Sequence, residues 1–151
     1  MDNIPHALLS TKDPAAFETV NENGACALQL VCDHASGAVP DALAKLGLED
    51  AQFERHIAYD IGAADVTRQL AGRLDAQAVL AGYSRLVIDV NRPPGHPGSI
   101  PKTSDEAVIP GNLGLPEANQ RLRVSDLFES PIMTPFTKPL PICGGGARHR
   151  R

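Results

Sequence analysis

Three groups of polar side chains lie where this sequence could carry out chemistry. The first follows an apolar run, Leu28-Gln29-Leu30-Val31-Cys32, which ends in Asp33, His34 and Ser36. Such a run is typical of a buried strand in a parallel sheet, and open α/β sheets bind ligands beyond the carboxyl ends of their strands. His34 is therefore a candidate metal ligand or general base, because neutral imidazole can act as either. The alternative is a histidine that only hydrogen-bonds the backbone.

The second group is His56 and Asp60, which are four residues apart. His56 lies in a segment with helical character, Glu49–Tyr59, and Asp60 directly follows it. On a helix, this spacing puts both side chains on one face. It suits two ligands of one metal, or one ligand and the carboxylate that orients it. The alternative is a solvated surface pair, although the flanking Ile57 and Tyr59 favour burial.

The third group ends a predicted strand, Leu86–Val90, which is followed by Asn91 and Arg92. Alternate residues of a strand share a face, so Asp89 and Asn91 would point to the same side. Arg92 could hold a carboxylate in a two-pronged hydrogen bond, with Asn91 as an added donor. The alternative is a salt bridge at the strand end between Asp89 and an arginine such as Arg85.

Secondary structure must position these groups. The alternation of apolar runs and a helical repeat predicts a βαβ crossover that connects the strand before His34 to the next strand. Apolar residues at helical spacing predict one packed helix face: Ile61, Ala63, Val66, Leu70, Ala71 and Leu74. The predicted elements are an N-terminal arm (residues 1–24), a strand Ala25–Cys32, a short helix Asp41–Leu46 closed by Gly47, the Glu49–Tyr59 helix, the helix Ile61–Leu74, strands Ala76–Ala81 and Leu86–Val90 joined at Gly82–Ser84, a long loop Asn91–Pro116, and a helix Glu117–Phe128.

Composition excludes several classes of protein. The chain has 151 residues, 42% of them hydrophobic and 21% charged, which is typical of one soluble domain. A net charge of -4 gives no electrostatic case for nucleic acid, and no apolar run approaches the roughly 20 residues of a membrane helix. Cys26, Cys32 and Cys143 are odd in number and lack CxxC spacing, so we expect reduced thiols and a cytoplasmic protein. There is no GxSxG elbow and no glycine-rich phosphate loop.

Four segments, in order, resemble the N-formylglutamate amidohydrolase family. Residues Cys32–Pro40 resemble its CDHASNxxP segment, His56–Ala63 its HIAxDIGA segment, and Tyr83–Pro93 its YSRLVIDxNRP segment. Residues Ser104–Asn112 resemble its SDGxxIPGN loop, with Glu106 where the family usually has Gly. Four motifs in order, between about Ala25 and Phe128, are far more specific than any one of them.

The resemblance implies an α/β fold, a three-layer sandwich with a mostly parallel or mixed sheet like that of zinc-dependent exopeptidases, here incomplete. It also implies hydrolysis of a linear amide, N-formyl-L-glutamate, to formate and L-glutamate. Zn²⁺ would lower the pKa of its bound water to about 7. The expected partner is a small N-acyl amino acid, with neither nucleic acid nor membrane.

Roles for individual residues follow from the same resemblance. His34 is implied as a catalytic residue and zinc ligand, with Asp60 or His56 as the second ligand and Asp60 also catalytic. The segment Ile109–Asn112 would close over the pocket. The residues implied to bind substrate are Ser36, Asn91, Arg92 and Asn112.

A third zinc ligand is missing from the resemblance. Catalytic zinc sites normally have three protein ligands, but nothing after Phe128 matches the family's downstream His-Ser motif, and His149 lies in a basic end without a predicted strand. The alternative to an enzyme is therefore a non-catalytic fragment that at most binds a small carboxylate through Arg92. An incomplete sheet would also expose an apolar edge, so we expect poor solubility.

The sequence after Glu129 does not resemble the family. We expect residues 1–129 to be the N-terminal part of an amidohydrolase domain, and residues 130–151 to be an unstructured tail. Codons for residues 131–135, read one base earlier, permit Tyr-His-Asp-Ala, with the Asp codon forced; the family has a similar segment here. The hypothesis is a frameshift near Glu129–Pro131, and the alternative is a short variant with its own C-terminus.

Overall fold

The computed structural model describes residues 7–128 of the chain. The predictions for residues 130–151, including the out-of-frame tail, Cys143 and His149, lie outside these residues. Within them, no helix has both the length and the apolar character needed to cross a membrane. The described residues form a mixed α/β unit in which the site lies at one end of a small sheet.

The main sheet has three strands, β1 (Phe17–Val20), β2 (Gln29–Cys32) and β3 (Gln77–Ala81), in the order β1-β3-β2. β2 runs parallel to β3, and β1 runs antiparallel to it. The sheet is therefore mixed, which is one of the two sheet types that the family resemblance implies. Because β3 lies in the middle, four of its five residues are buried, whereas β2 lies at the edge.

Helix α2 (Ala63–Leu74) connects β2 to β3 and confirms the predicted crossover. It begins after Gly62, whose φ of 83° is readily adopted only by glycine, and ends at Asp75, which is left-handed. Its Ala71 packs with Cys32, Ala78 and Leu80 of the sheet. The predicted apolar face is only partly covered, because Ile61, Val66, Leu70 and Leu74 are exposed.

The N-terminal region is not the simple arm that the sequence predicts, because it contributes β1. Phe17 pairs with Ala81, and Val20 pairs with Ala78. Conversely, the strand predicted over Ala25–Cys32 is only four residues long, since the Cys26 N–H donates to the carbonyl of Asp75 instead of entering the sheet.

The strand predicted over Leu86–Val90 is wrong. These residues lie in turns and irregular backbone, with the N–H groups of Val87 and Ile88 both directed to the Ser84 carbonyl. Leu86, Val87 and Ile88 are nevertheless buried in the main core. The apolar run therefore indicates burial and not a strand. Its backbone carbonyls at Leu86 and Val87 accept hydrogen bonds from buried side chains and not from a neighbouring strand.

The helix predicted over Glu49–Tyr59 is reduced to one turn, α1 (Asp50–Phe53). Hydrogen bonds to distant segments replace the helical ones, since the Ala58 carbonyl accepts from the backbone N–H of Arg85 and from the Ser84 hydroxyl. The short helix predicted over Asp41–Leu46 appears as a 3₁₀-like segment, Asp41–Gly47, interrupted at Ala44–Leu46 by three residues with positive φ.

The long segment Asn91–Pro116 contains more structure than predicted. A two-residue turn, Asp105-Glu106, joins β4 (Thr103–Ser104) to β5 (Ala107–Val108), and both turn residues have positive φ, as in tight hairpins. A 3₁₀ turn follows at Pro110–Asn112. The predicted final helix is present as α3 (Glu117–Arg123), continued by a π-helical turn, Val124–Phe128.

Candidate functional site

The imidazole of His34 lies just beyond the end of β2 and is only 7% exposed. Both of its ring nitrogens contact carboxylates: Nε2 lies 2.7 Å from Oδ1 of Asp89, and Nδ1 lies 3.3 Å from Oδ2 of Asp60. The hydrogen bond with Asp89 raises the pKa of His34, against the opposing effects of burial and of the Arg85 charge. The predicted encounter of His34 with Asp60 therefore takes place.

Asp89 lies in the irregular segment that replaces the strand predicted over Leu86–Val90. Its backbone N–H donates to the Ser99 carbonyl at 2.7 Å, and its Oδ1 also accepts from the Asn91 N–H at 3.0 Å. Burial opposes ionisation of Asp89, but the hydrogen bonds from His34 and Asn91 outweigh it, so the pKa of Asp89 is lowered. A buried, ionised carboxylate thus fixes the orientation of the imidazole.

Asp60 approaches the imidazole from the more open side, with 53% of its side chain exposed. Its backbone N–H donates to the carbonyl of His34 at 2.9 Å, which ties the two segments together. Arg85 closes the arrangement, since its Nη1 lies 3.2 Å from Oδ1 of Asp60 and its Nη2 lies 3.7 Å from Oδ2 of Asp89. We call His34, Asp60, Arg85 and Asp89 the four-residue ring.

Asp33 adds a third carboxylate to the field of this ring. Burial raises its pKa, and the charges of Asp89 and Asp60 raise it further, against the opposing effect of His34. The region is consequently rich in negative charge, with Arg85 as the permanent cation of the ring. Such a centre favours a cationic ligand or an imidazolium.

His56 is not brought to this centre. Its side chain is 70% exposed, and its Nε2 lies 3.7 Å from Oδ2 of Asp105. The predicted helix that would have aligned it with Asp60 ends at Phe53. Of the two alternatives for a second ligand, only Asp60 contacts His34.

Asn112 is buried inside the protein with its polar atoms occupied. Its Nδ2 donates to the carbonyls of Leu86 (2.8 Å) and Pro101 (2.7 Å), and its Oδ1 accepts from Arg123 at 2.6 Å. The segment Ile109–Asn112 packs into the core instead of forming the predicted lid, since a Cβ on Gly111 would lie 2.8 Å from Cα of Leu46. These contacts describe a structural role for Asn112.

The other residues predicted to bind substrate follow members of the ring closely in sequence. The Ser36 Oγ accepts from the Ala38 N–H, and the residue lines a cavity of about 280 Å³ together with Gly82, near the carboxyl ends of β2 and β3. Asn91 and Arg92 are exposed two and three residues after Asp89, whose carbonyl accepts from the Arg92 N–H at 3.1 Å. The side chain of Arg92 is therefore open to solvent.

Sequence reasoning placed Asp89 in the third candidate group, with a salt bridge to Arg85 as the alternative, but did not connect either residue to His34. The salt bridge is present at 3.7 Å, and both residues also belong to the ring around His34. The available signal was a cation and a carboxylate four residues apart, placed on either side of a buried apolar run. Charged groups are seldom buried unless they are paired. That rule alone would have connected Asp89 to a partner, although not to His34.

The geometry at His34 and Asp60 suits two ligands of one metal ion. With bonds of about 2.0–2.1 Å, tetrahedral ligands of zinc lie about 3.3 Å apart, and Nδ1 and Oδ2 are separated by 3.3 Å. Asp89 then matches the outer carboxylate that a metal-bound histidine usually has on its other nitrogen. Among residues 7–128, no group of three or more His, Cys, Asp or Glu side chains is arranged to hold a metal.

Comparison with known sequences decides the family. The sequence model for N-formylglutamate amidohydrolase matches residues 26–130, which is more than half of the chain. The chain belongs to the N-formylglutamate amidohydrolase family. The resemblance found in the four motifs is thereby confirmed, and the ring lies entirely within the matched region.

A solved structure supports the assignment. The crystal structure of gene product Atu2144 from Agrobacterium tumefaciens is 36% identical in sequence and superposes with a TM-score of 0.78. The match covers 80% of this chain and 48% of that protein, so the chain spans about half the length of this relative. A comparison with curated proteins gives no match.

Proposed function

We propose that this site belongs to a hydrolase that cleaves the amide of an N-acyl amino acid, converting N-formyl-L-glutamate and water to formate and L-glutamate. The observation that carries the proposal is that Asp60 contacts Nδ1 of His34 and Asp89 contacts its Nε2, in a chain that belongs to this family. Its substrate is a small molecule, and the complete domain would be a three-layer sandwich like that of zinc-dependent exopeptidases.

Zinc is the metal that we assign to the site. His34 and Asp60 would hold it, because their nitrogen and oxygen are donors that zinc accepts, at the ligand spacing that tetrahedral zinc requires. The third ligand would come from a part of the family domain outside residues 7–128. When bound, zinc supplies polarisation of the acyl carbonyl and a lowered pKa for a coordinated water.

The chain's own residues have distinct tasks in this proposal. Asp89 holds the His34 ring in one orientation from its buried side. Asp60 faces the open side of the ring, where an acyl group would arrive. Arg92, exposed beside Asp89, would pair with a substrate carboxylate, with Asn91 and Ser36 as hydrogen-bonding neighbours.

Metal binding tests the proposed ligands without requiring turnover. Titration with Zn²⁺ against a competing chelator should show that His34→Gln and Asp60→Asn lower the affinity by at least tenfold. His56→Gln is the matched control, because it removes an exposed imidazole that pairs with Asp105 and does not contact the ring. Equal affinity in the His34 and His56 variants would contradict the assignment.

Turnover tests the reaction itself. Formate release from N-formyl-L-glutamate should depend on added Zn²⁺ in the Agrobacterium relative, and should be lost when the residues matching His34 or Asp60 are replaced. The residue matching Arg92, changed to Ala, should raise KM more than it lowers kcat, because it meets the carboxylate and not the reacting amide. Formate release that survives loss of the histidine would refute the proposal.

A further inference from the structure

The two carboxylates that contact His34 divide their oxygens in the same way. Asp89 places Oδ1 at 2.7 Å from Nε2 of His34, and Asp60 places Oδ2 at 3.3 Å from Nδ1. Both remaining oxygens face Arg85, whose Nη1 donates to Oδ1 of Asp60 at 3.2 Å and whose Nη2 lies 3.7 Å from Oδ2 of Asp89. Arg85 therefore faces, on each carboxylate, the oxygen that His34 does not contact.

The backbone holds Arg85 in a fixed position relative to Asp60. The Arg85 N–H donates at 3.2 Å to the carbonyl of Ala58, which lies two residues before Asp60. The hydroxyl of Ser84 donates to the same carbonyl at 2.8 Å, and both Ser84 and Ala58 are fully buried. The Asp60 N–H donates in turn to the His34 carbonyl. The contact between the guanidinium and Asp60 is thus supported by buried backbone hydrogen bonds.

The number of oxygens that Asp60 can offer matters for a metal ion. Mn²⁺ prefers an octahedral set of oxygen ligands, and one carboxylate can supply two oxygens to the same cation. Catalytic zinc instead has three protein ligands and keeps its fourth position open. A second oxygen from Asp60 would compete for that open position. Here only Oδ2 of Asp60 faces Nδ1 of His34, because Oδ1 accepts from Arg85.

We propose that Arg85 determines the metal preference of the site, by occupying Oδ1 of Asp60 so that this carboxylate binds metal through Oδ2 alone. Arg85 is then a positioning residue, since it acts through Asp60 and does not itself contact the metal. The inference rests on the proposed function, which assigns zinc to His34 and Asp60. It adds the reason why a site with several carboxylates would favour zinc over a cation that takes more oxygen ligands.

The alternative is that Arg85 acts only through its charge or by supporting the fold. A cation beside the site lowers the affinity for every divalent metal ion by Coulomb repulsion, and a damaged fold would weaken the binding of every metal ion. Zn²⁺ and Mn²⁺ carry the same charge. The ratio of their dissociation constants is therefore insensitive to both effects and reports the set of ligand atoms.

Competition with a chelator measures both dissociation constants in the 151-residue chain. Arg85→Gln should reduce the preference for Zn²⁺ over Mn²⁺ by about tenfold or more, a typical effect of losing a group that orients a metal ligand. Arg85→Lys keeps a charged donor for Asp60 and should restore part of the preference. Arg55→Gln is the matched control and should leave the preference unchanged, because the Arg55 guanidinium donates to Gln52 and Asp105.

The proposal is overturned if Arg85→Gln changes both dissociation constants by the same factor, if Arg55→Gln lowers the preference as much, or if the unaltered chain does not prefer Zn²⁺. Any of these results leaves the proposed reaction standing, because formate release by the Agrobacterium relative is measured separately. A reduced preference in Arg85→Gln, together with no formate release by that relative, would support the role of Arg85 and refute the reaction.

Discussion

His34 and Asp89 are separated by 55 residues in sequence, yet Nε2 of the first lies 2.7 Å from Oδ1 of the second, and both side chains are buried. Asp60 contacts the same imidazole from the exposed side. The two carboxylates therefore differ in environment, since one is a fixed internal anchor and the other faces solvent. That difference separates the tasks of orienting the histidine and of meeting a ligand.

Asp89→Asn should weaken zinc binding by about 10–100-fold, the usual cost of losing a carboxylate behind a metal-bound histidine. The amide keeps the volume of the carboxylate but loses its negative charge. Competitive chelator titration measures the effect, and Asp105→Asn serves as control because Asp105 pairs with Arg55 away from the ring. If the Asp89 variant binds zinc as the unaltered chain does, Asp89 does not orient the ligand.

Ionisation of the Tyr83 phenol should lower the stability of the folded protein at high pH. Burial raises the pKa of Tyr83 to about 12, and the Asp13 and Asp41 charges add to the shift. Because the folded state favours the neutral phenol, its stabilisation is complete below pH 10 and is lost as the pH rises through about 12. A two-unit shift corresponds to at most about 2.7 kcal/mol.

Urea unfolding at pH 8 to 12 measures this loss. The hydroxyl of Tyr83 donates to the Pro14 carbonyl, so Tyr83→Phe should cost about 1 kcal/mol at pH 8. The variant should lose less stability than the unaltered chain between pH 10 and 12. Parallel pH profiles for the two proteins would show that Tyr83 is not the responsible group.

Two glycines predict opposite responses to alanine. A Cβ on Gly82 would lie 2.1 Å from the Ala15 carbonyl oxygen, so Gly82→Ala must separate β3 from the chain before β1. Gly72 lies within α2 with nothing near its Cβ position. Gly72→Ala should therefore stabilise by about 0.5–1 kcal/mol through helix propensity, and Gly82→Ala should destabilise by more than about 2 kcal/mol.

Denaturant midpoints of the two glycine variants, measured side by side, check this pair. The comparison is informative because both changes add the same methyl group. A Gly82 variant as stable as the Gly72 variant would mean that the close approach at the end of β3 is not maintained in solution.

Local sequence predicts the part of the fold that depends on local periodicity. The β2–α2–β3 crossover follows from two apolar runs that flank a helical repeat, and the polar residues after β2 locate His34 at the end of the strand. The family resemblance, and not local periodicity, implied that His34 and Asp60 act together, whereas the helix expected to align His56 with Asp60 does not form. The structure joins His34 and Asp60 through the hydrogen bond from the Asp60 N–H to the His34 carbonyl.

Contacts between distant residues decide the parts that local sequence cannot predict. β1 forms because Phe17–Val20 pair with the edge of β3 that lies opposite β2, and four residues between turns carry little signal of that pairing. Leu86–Ile88 resemble a strand in every local property. The carbonyls of Leu86 and Val87 instead accept hydrogen bonds from Asn112 and Arg123, which lie more than 20 residues away in sequence.

Asn112 should therefore be essential for stability and not for substrate affinity. Asn112→Ala would leave the Leu86 and Pro101 carbonyls and a guanidinium N–H of Arg123 without their partner in the interior. Each unsatisfied buried group costs about 1–3 kcal/mol. Burial alone already lowers the pKa of Arg123 to about 10, which shows how little solvent reaches this region.

The expected loss for Asn112→Ala is about 3 kcal/mol in the free energy of unfolding, measured by urea denaturation. Asn91→Ala, at an exposed position, should change stability by less than about 0.5 kcal/mol. The matching change in the Agrobacterium relative separates the two roles: a structural asparagine lowers the midpoint and leaves KM unchanged. A raised KM for N-formyl-L-glutamate at unchanged stability would instead restore the substrate contact that the family resemblance implies, because only direct binding produces that combination.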